Sequence, residues 1–125
     1  MQLVKKEIGD LGEKIAQKYL KNKGYEIIDI NYRKKQGEID LVGRLSDNSL
    51  VFFEIKTRSM SSGKYGLPEE SVNYFKQQKL HKTAELFLYE KGYDQLETNW
   101  RFDVLTIILN IKEKKAIIRH IKNAF

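Results

Sequence analysis

Apolar positions along the chain recur with two different periods, which together predict two helices and five strands. Between residues 7 and 23 they return every three or four residues, as on one face of an amphipathic helix. The positions are Ile8, Leu11, Ile15, Ala16, Tyr19 and Leu20. Gly24 follows and is typical of a helix C-terminus. A second helix is predicted to begin at Pro68 and to run to about Glu90. Its predicted apolar face consists of Val72, Phe75, Leu80, Ala84, Phe87 and Leu88.

The other apolar segments are short and rich in β-branched and aromatic residues, so they predict strands. They cover residues 25–33, 38–44, 50–57, 100–109 and 116–121. Tight turns join the first three, which indicates an antiparallel meander. The polar, glycine-containing stretch 59–66 is predicted to be a mobile loop. The element order is α-β-β-β-α-β-β, and the 125 residues are predicted to form a single α/β domain, since no stretch has the composition of an interdomain linker.

Three charged residues interrupt the second and third predicted strands. Asp40 lies in the apolar run 39–42, and Glu54 and Lys56 lie in the run 50–56. Burying charges costs free energy unless they are paired or hold a metal. Because alternate residues of a strand share a face, Glu54 and Lys56 are expected to project from the same face. If the two strands pair as a hairpin, Asp40 is expected to lie opposite them on that face.

Two carboxylates on neighbouring strands predict a divalent-metal site. Oxygen ligands suit Mg²⁺ (or Mn²⁺), and Lys56 near a scissile phosphate would serve metal-assisted phosphodiester hydrolysis. Glu13, at the border of the apolar stripe of the first helix, is a third candidate metal ligand, although glutamates at helix edges are usually solvated. The alternative interpretation is a structural salt bridge of Asp40, Glu54 and Lys56 on the sheet.

The formal net charge of +6 favours a polyanionic partner, most often nucleic acid. Arg33, Lys35 and Arg58 flank the acidic residues and are predicted to hold phosphates, which would give salt-dependent affinity without sequence preference. Lys76 and Lys79 on the second helix could also reach a phosphate, but a solvated helix face is the simpler interpretation.

Several classes of protein and site are disfavoured by what the chain lacks. It has no cysteine, which excludes a disulfide framework and a thiolate metal site and fits a reducing cytoplasm. His81 and His120 are far apart in sequence and give a zinc site little support. The N-terminal residues form no apolar signal segment, and no apolar run approaches the roughly 20 residues that span a bilayer. We therefore expect a cytoplasmic protein without a membrane partner.

Several short motifs, spread over nearly the full length of the chain, together resemble those of a known protein family. No single motif is specific, but the combination is. The motifs are Gly12-Glu13, Gly24-Tyr25, Asn31-Tyr32-Arg33, residues 37–42, residues 51–58, Gly66-Leu67-Pro68, residues 101–104 and Asn123-Ala124-Phe125. In these motifs the chain resembles the bacterial YraN-like family, an uncharacterised family (UPF0102) that is similar to archaeal Holliday-junction resolvases of the PD-(D/E)XK nuclease superfamily.

The resemblance implies a restriction-endonuclease-like core, with a mixed sheet flanked by helices. It implies that Asp40 and Glu54 ligate Mg²⁺, that Lys56 is the catalytic lysine and that Glu13 is the helix carboxylate of the resolvase-like branch. Ile39 stands where the superfamily motif has proline. The activity implied is a metal-dependent endonuclease acting on branched or structured DNA.

Two points stay open at the level of the sequence. Resolvases of this type cut as dimers, so the resemblance leaves a homodimer open. The alternative function is a non-catalytic nucleic-acid-binding module, or an adaptor in DNA processing, that retains the nuclease fold. Two carboxylates facing a polyanion argue against a simple binder, because they would repel phosphate unless a metal lay between them.

Overall fold

The part of the chain that the computed structural model describes, residues 4–60 and 72–125, forms two helices and five strands. In chain order they are α1 (Lys5–Asn22), β1 (Glu26–Lys34), β2 (Gly37–Arg44), β3 (Leu50–Ser59), α2 (Tyr74–Glu90), β4 (Trp100–Asn110) and β5 (Lys115–Ile121). This is the order predicted from the sequence. Within these residues, neither helix is long and apolar enough to cross a membrane.

The five strands form one sheet in the order β1-β2-β3-β4-β5. β1, β2 and β3 pair antiparallel, as the tight turns predicted. β4 lies parallel to β3, and β5 returns antiparallel to β4. A parallel neighbour requires a crossover connection, and α2 lies in the segment that connects β3 to β4. The predicted α/β class, with a mixed sheet flanked by helices, is therefore confirmed.

The two faces of the sheet carry separate hydrophobic cores, because side chains alternate along each strand. Phe53 packs with Ala16 and Leu20 of α1. Phe52, its neighbour on β3, packs with Leu80 and other residues of α2. Glu54 has the parity of Phe52, so it belongs to the face that α2 covers. This alternation decides which helix can meet the acidic residue of β3.

A glycine lets α1 approach β3 closely. A Cβ atom added to Gly12 would lie 2.0 Å from Thr57 Oγ1 and 2.8 Å from Thr57 Cβ, so only hydrogen fits at this position. The contact fixes the turn of α1 that carries Glu13 against the later half of β3. A helix-edge glutamate thereby comes near the sheet instead of projecting wholly into solvent.

The predicted start of α2 at Pro68 is wrong, since the helix begins at Tyr74. Asn73 has extended backbone angles, and its side chain accepts a hydrogen bond from the Lys76 N–H at 2.9 Å, which caps the helix. Val72 is buried but precedes the helix. Pro68 lies outside the described residues, as does most of the stretch 59–66 that was predicted to be a mobile loop.

Phe75 does not belong to the apolar face of α2, contrary to the prediction. It is 78% exposed, whereas Leu80, Ala84, Phe87 and Leu88 are buried as predicted. Phe75 precedes Leu80 by five residues, which places it about 140° around the helix from that buried position. The apolar stripe of α2 therefore begins at Leu80, and its first turn presents an aromatic side chain away from the core.

Candidate active site

β2 and β3 separate at the point where the two carboxylates lie. Their pairing ends with Leu41 opposite Phe53, although the same register would next place Asp40 opposite Glu54. Instead, Asp40 Oδ2 accepts a hydrogen bond from the Ile55 N–H at 2.7 Å. The carboxylate thus satisfies a backbone donor that the ladder no longer pairs. A backbone contact of this kind fixes Asp40 against β3 without a second side chain.

Glu54 meets the first turn of α2. Its side chain is 11% exposed, and Glu54 Oε1 accepts a hydrogen bond from Lys76 Nζ at 2.6 Å. The cap at Asn73 orders the helix turn that carries this lysine. An ammonium group therefore already lies against one of the two carboxylates.

The two carboxylates share one cleft between the sheet and α2. It has a volume of about 460 Å³, and both Asp40 and Glu54 line it. Phe75, Lys76 and Lys79 of α2 line the same cleft. Its walls therefore combine carboxylate groups from the sheet with ammonium groups and one aromatic ring from the helix.

Asp40 carries the clearest electrostatic signature of the cleft. Burial raises its pKa, and the negative charge of Glu54 raises it further, to about 7, although the hydrogen bond from the Ile55 N–H opposes the shift. Lys76 thus leaves the repulsion between the two carboxylates incompletely neutralised. A cation placed between them would favour the ionised form of both.

Glu13 and Arg33 lie within electrostatic reach of Asp40. Glu13 is half-buried on α1, and its charge contributes to the raised pKa of Asp40. The pKa of Arg33 is raised chiefly by its 2.9 Å hydrogen bond to Glu38 and, more weakly, by the charges of Glu13 and Asp40. The charges of these two sequence-predicted residues therefore influence Asp40, but neither residue lines the cleft.

The remaining sequence-predicted residues do not line the cleft. Lys56 is half-buried on β3, on the parity of Glu54, and pairs in register with Thr106 of β4. Arg58 is half-buried near the end of β3, and its Nη1 donates to the Thr57 carbonyl at 3.1 Å. Lys35 is exposed in the turn between β1 and β2.

The donor set of the cleft fits a small divalent cation in chemistry. Carboxylate oxygens are the ligands that Mg²⁺ prefers, and this ion keeps several of its waters. In residues 4–60 and 72–125, no three histidine, aspartate or glutamate side chains form a group arranged to hold a metal. Asp40 and Glu54 therefore supply a two-carboxylate set, and Glu13 does not join them as a third assembled ligand.

α2 forms a wall of the site, which was not predicted from the sequence. A solvated helix face was the preferred interpretation of Lys76 and Lys79, yet Lys76 pairs with Glu54 and both lysines line the cleft. The signal that could have identified them is Asn73, a good N-cap residue three positions before Lys76. A helix start at that point turns both lysines towards the acidic strands.

Asp103, another acid in an apolar strand, lies on the opposite face of the sheet. Its side chain is fully buried and accepts hydrogen bonds from Arg101 Nε at 2.9 Å and from the Asn123 N–H at 2.9 Å, and His120 Nε2 lies 2.7 Å from its other oxygen. These partners satisfy the carboxylate without any ligand. These contacts give Asp103 a structural role.

A comparison with solved structures gives a distant likeness in fold. A repair endonuclease from Pyrococcus abyssi superposes with a TM-score of 0.46 at 15% sequence identity. The match covers 89% of this chain and 41% of that one, so this chain spans about two fifths of the length of the archaeal protein.

Sequence comparison gives much closer relatives. A UPF0102 protein of Alkaliphilus oremlandii is 46% identical over 120 residues, which cover 96% of this chain and 98% of the relative. A UPF0102 protein of Clostridium botulinum strain 657 is 43% identical over 125 residues, covering 100% of this chain and 98% of the relative. The sequence profile described as "Uncharacterised protein family UPF0102" matches residues 12–107, which include Glu13, Asp40, Glu54 and Lys56. The chain therefore belongs to the uncharacterised protein family UPF0102.

Proposed function

We propose that this protein is a metal-dependent DNA endonuclease that hydrolyses phosphodiester bonds in branched or otherwise structured DNA. The observation that supports the proposal most directly is the convergence of Asp40 and Glu54 in one cleft, at the point where β2 and β3 separate. Their partial neutralisation by Lys76 leaves the cleft able to attract a further cation. The proposed catalytic unit is the single domain formed by residues 1–125.

In the proposed site, Asp40 and Glu54 would hold Mg²⁺ (or Mn²⁺). Glu13, which does not form a group with them in the metal-free protein, would complete the site as the third carboxylate once the metal is bound, directly or through water. When bound, the metal supplies Lewis-acid polarisation of the phosphate and lowers the pKa of a bound water. Asp40 is held for this role by the Ile55 N–H, which fixes one of its oxygens. Glu54 would hold the metal from a position where it now accepts the hydrogen bond from Lys76, and Lys76 would then be available to a phosphate.

The cations around the cleft have distinct proposed tasks. Lys56, on the strand parity of Glu54, stabilises the developing charge on the scissile phosphate or positions the attacking water. Arg33, Lys35 and Arg58 hold phosphates on either side of the cut, in contacts that carry affinity without sequence preference. Branched DNA is the proposed substrate because the motifs resemble those of archaeal Holliday-junction resolvases, and a homodimer remains compatible with that substrate.

One observation favours the alternative function, a nucleic-acid-binding module without turnover. The 2.6 Å ion pair between Lys76 and Glu54 already neutralises one carboxylate, so the cleft holds together without a metal. If this pair persists when DNA is bound, the acidic residues are structural. The two functions differ in one measurable respect, which is metal-dependent cleavage.

The test is cleavage of labelled four-way junction, flap, single-stranded and linear duplex DNA in Mg²⁺, Mn²⁺ or EDTA. Wild-type protein is expected to cut a branched substrate only with a metal. Asp40→Asn and Lys56→Ala are expected to lower the cleavage rate roughly 100-fold or more, because each removes a group that acts on the transition state. DNA binding by Asp40→Asn is expected to stay close to that of wild type.

Matched controls separate the site from general effects of charge. Asp47→Asn removes an exposed carboxylate from the turn at the other end of β2 and β3, and Lys112→Ala removes an exposed lysine. Both are expected to cut like wild type. Normal cutting by Asp40→Asn would refute the site, and binding without cutting under every metal condition would establish the non-catalytic module instead.

A further inference from the structure

Two exposed aromatic side chains lie in the first turn of α2, the helix that forms one wall of the candidate active site. Tyr74 is 67% exposed and Phe75 is 78% exposed, and both lie in the first turn of α2. Their ring centroids are 6.1 Å apart with a 73° angle between the ring planes. Phe75 lines the cleft that contains Asp40 and Glu54. Exposing an aromatic ring to water to this extent costs free energy, and an exposed apolar pair beside a cleft is typical of a binding site.

The charges beside the aromatic pair identify the chemistry of that occupant. Between Tyr74 and Ala84 the helix carries Lys76, Lys79 and Lys82 and no acidic residue. Lys79 and Lys82 follow Phe75 by four and seven positions, which places all three on the same side of the helix. An apolar ring flanked by ammonium groups matches a ligand with a flat apolar surface and neighbouring negative charges.

Resting on the proposed function, we propose that Phe75, supported by Tyr74, stacks on an unpaired nucleobase of the DNA strand that enters the cleft. Lys79 and Lys82 contact the phosphates that flank this base. Aromatic rings accept every base because each base has a π face, and basic residues beside them follow the backbone. In a regular duplex both faces of a base are already stacked, so the interaction selects strands with unpaired bases. The aromatic pair therefore favours DNA with unpaired bases, such as a flap or a single-stranded segment, as the substrate class.

Contact with a second copy of the chain is the competing explanation for an exposed apolar patch. A twofold interface is formed by the same surface on both partners. At this patch it would bring the lysines of one copy against those of the other, and like charges would repel. Nucleic acid instead supplies opposite charge and an apolar face together, so charge complementarity favours it over self-association.

The experiment compares two fluorescent oligonucleotides of equal length in EDTA, where no cleavage occurs. One is oligo-dT, and the other has the same phosphates but abasic sugars. Wild-type protein is expected to bind oligo-dT about fivefold or more tightly than the abasic strand, as the loss of one stacked base implies. Phe75→Ala is expected to abolish this difference. Phe75→Leu keeps an apolar side chain without the ring and is expected to lose most of the difference too.

Two matched variants separate stacking from other effects. Tyr89 lies on the same helix and is 77% exposed, but it follows Phe75 by 14 residues, about 21 Å along the helix axis. Tyr89→Ala is therefore expected to keep the preference for bases. Lys79→Ala is expected to weaken binding to both oligonucleotides by the same factor, because it removes a phosphate contact. Circular dichroism of Phe75→Ala confirms folding, which the exposure of this side chain is expected to leave intact.

Clear outcomes overturn the inference. It fails if wild-type protein binds the two strands equally, or if Phe75→Ala retains the preference for oligo-dT. It also fails if sedimentation shows a wild-type dimer that Phe75→Ala dissociates, because the patch is then an interface between copies. The result does not depend on the proposed catalysis: a base preference lost in Phe75→Ala stands even if no metal supports cleavage, and cleavage by a protein indifferent to bases refutes only the stacking.

Discussion

At the scale of single residues, Asp40 links the sequence pattern to the chemistry of the cleft. An acid within an apolar run predicted a carboxylate that would be expensive to bury. The structure shows why ionising Asp40 costs free energy: burial and the negative charge of Glu54 raise its pKa to about 7. The ionised carboxylate is therefore a destabilising group in the metal-free protein, and a cleft that accepts such a cost is typical of a functional site.

This property predicts how stability depends on pH. Because the folded pKa of Asp40 lies above its ordinary value of 3.8, the unfolded chain loses its proton first as the pH rises. The metal-free protein therefore loses stability between about pH 4 and pH 7. Asp40→Asn cannot ionise, so its stability relative to wild type is expected to increase over this range and to level off at an advantage on the order of 4 kcal/mol.

The measurement is urea unfolding of both proteins in EDTA from pH 4 to pH 8. Asp47→Asn serves as control, since Asp47 is exposed and hydrogen bonds from Ser49 lower its pKa. The stability of Asp47→Asn relative to wild type is expected not to increase as the pH rises. An Asp40→Asn protein no more stable than wild type at pH 8 would contradict the buried, repelled carboxylate.

At the scale of elements, the contact between α1 and β3 positions Glu13. Gly12 and Glu13 are recognisable in the sequence, but their neighbour Thr57 is far along the chain. Glycine at position 12 allows the helix backbone to lie against this β-branched side chain, which has little freedom to move away. The electrostatic reach from Glu13 to Asp40 thus depends on one close packing contact.

Gly12→Ala tests this contact. The added Cβ would lie 2.0 Å from Thr57 Oγ1, so α1 must move away from the sheet. We expect a loss of about 1–3 kcal/mol in the free energy of unfolding, as for other overpacked cores. Gly9→Ala is the matched control, since its Cβ would meet no atom within 4 Å and alanine favours a helix. Chemical denaturation of the two variants is expected to show opposite signs, and equal stability of Gly12→Ala and wild type would disprove the tight contact.

At the scale of the whole molecule, Asp103 joins distant parts of the chain. Its carboxylate, on β4, contacts Arg101 of the same strand, His120 of β5 and the backbone of Asn123 beyond β5. His120 Nδ1 lies 3.2 Å from the Tyr19 hydroxyl on α1. Burial alone would raise the pKa of Asp103, but the hydrogen bonds from His120, Arg101 and the Asn123 N–H outweigh it and hold the pKa below its ordinary value.

The sign of this shift predicts a stability loss in acid. Because the pKa of Asp103 is lower in the folded protein than its ordinary value of 3.8, the ionised carboxylate stabilises the fold at any pH above 3.8. This stabilisation is lost as the pH falls through the pKa of the folded state. Asp103→Asn is therefore expected to cost about 3 kcal/mol at neutral pH, because it leaves Arg101 and His120 without their partner. The difference from wild type is expected to shrink below pH 3.8. The measurement is thermal unfolding of wild type and Asp103→Asn across this pH range, with Asp94→Asn as a control at an exposed carboxylate. A stability difference between wild type and Asp103→Asn that persists unchanged in strong acid would contradict the stabilising role of the ionised carboxylate.

Some residues of the candidate site could be predicted from the sequence, whereas others were identified only from their contacts in the structure. Strand parity placed Glu54 and Lys56 on one face, and the hairpin order predicted that Asp40 would approach them. The structure brings Asp40 and Glu54 into one cleft, but through the Ile55 N–H and not through direct strand pairing. Lys76 was undervalued because an ion pair across 22 residues of sequence leaves no trace in local periodicity.

The order of the elements, the α/β class and the positions of acids within apolar strands could all be predicted from local sequence, because periodicity and turn residues act over a few neighbouring residues. Four features depend on the packed chain: the start of α2 at Tyr74, the exposure of Phe75, the pairing of Lys76 with Glu54 and the raised pKa of Asp40. Each of these depends on which segments meet in space and on how much water their contact excludes. Those are properties of the packed chain, and no short stretch of the sequence contains them.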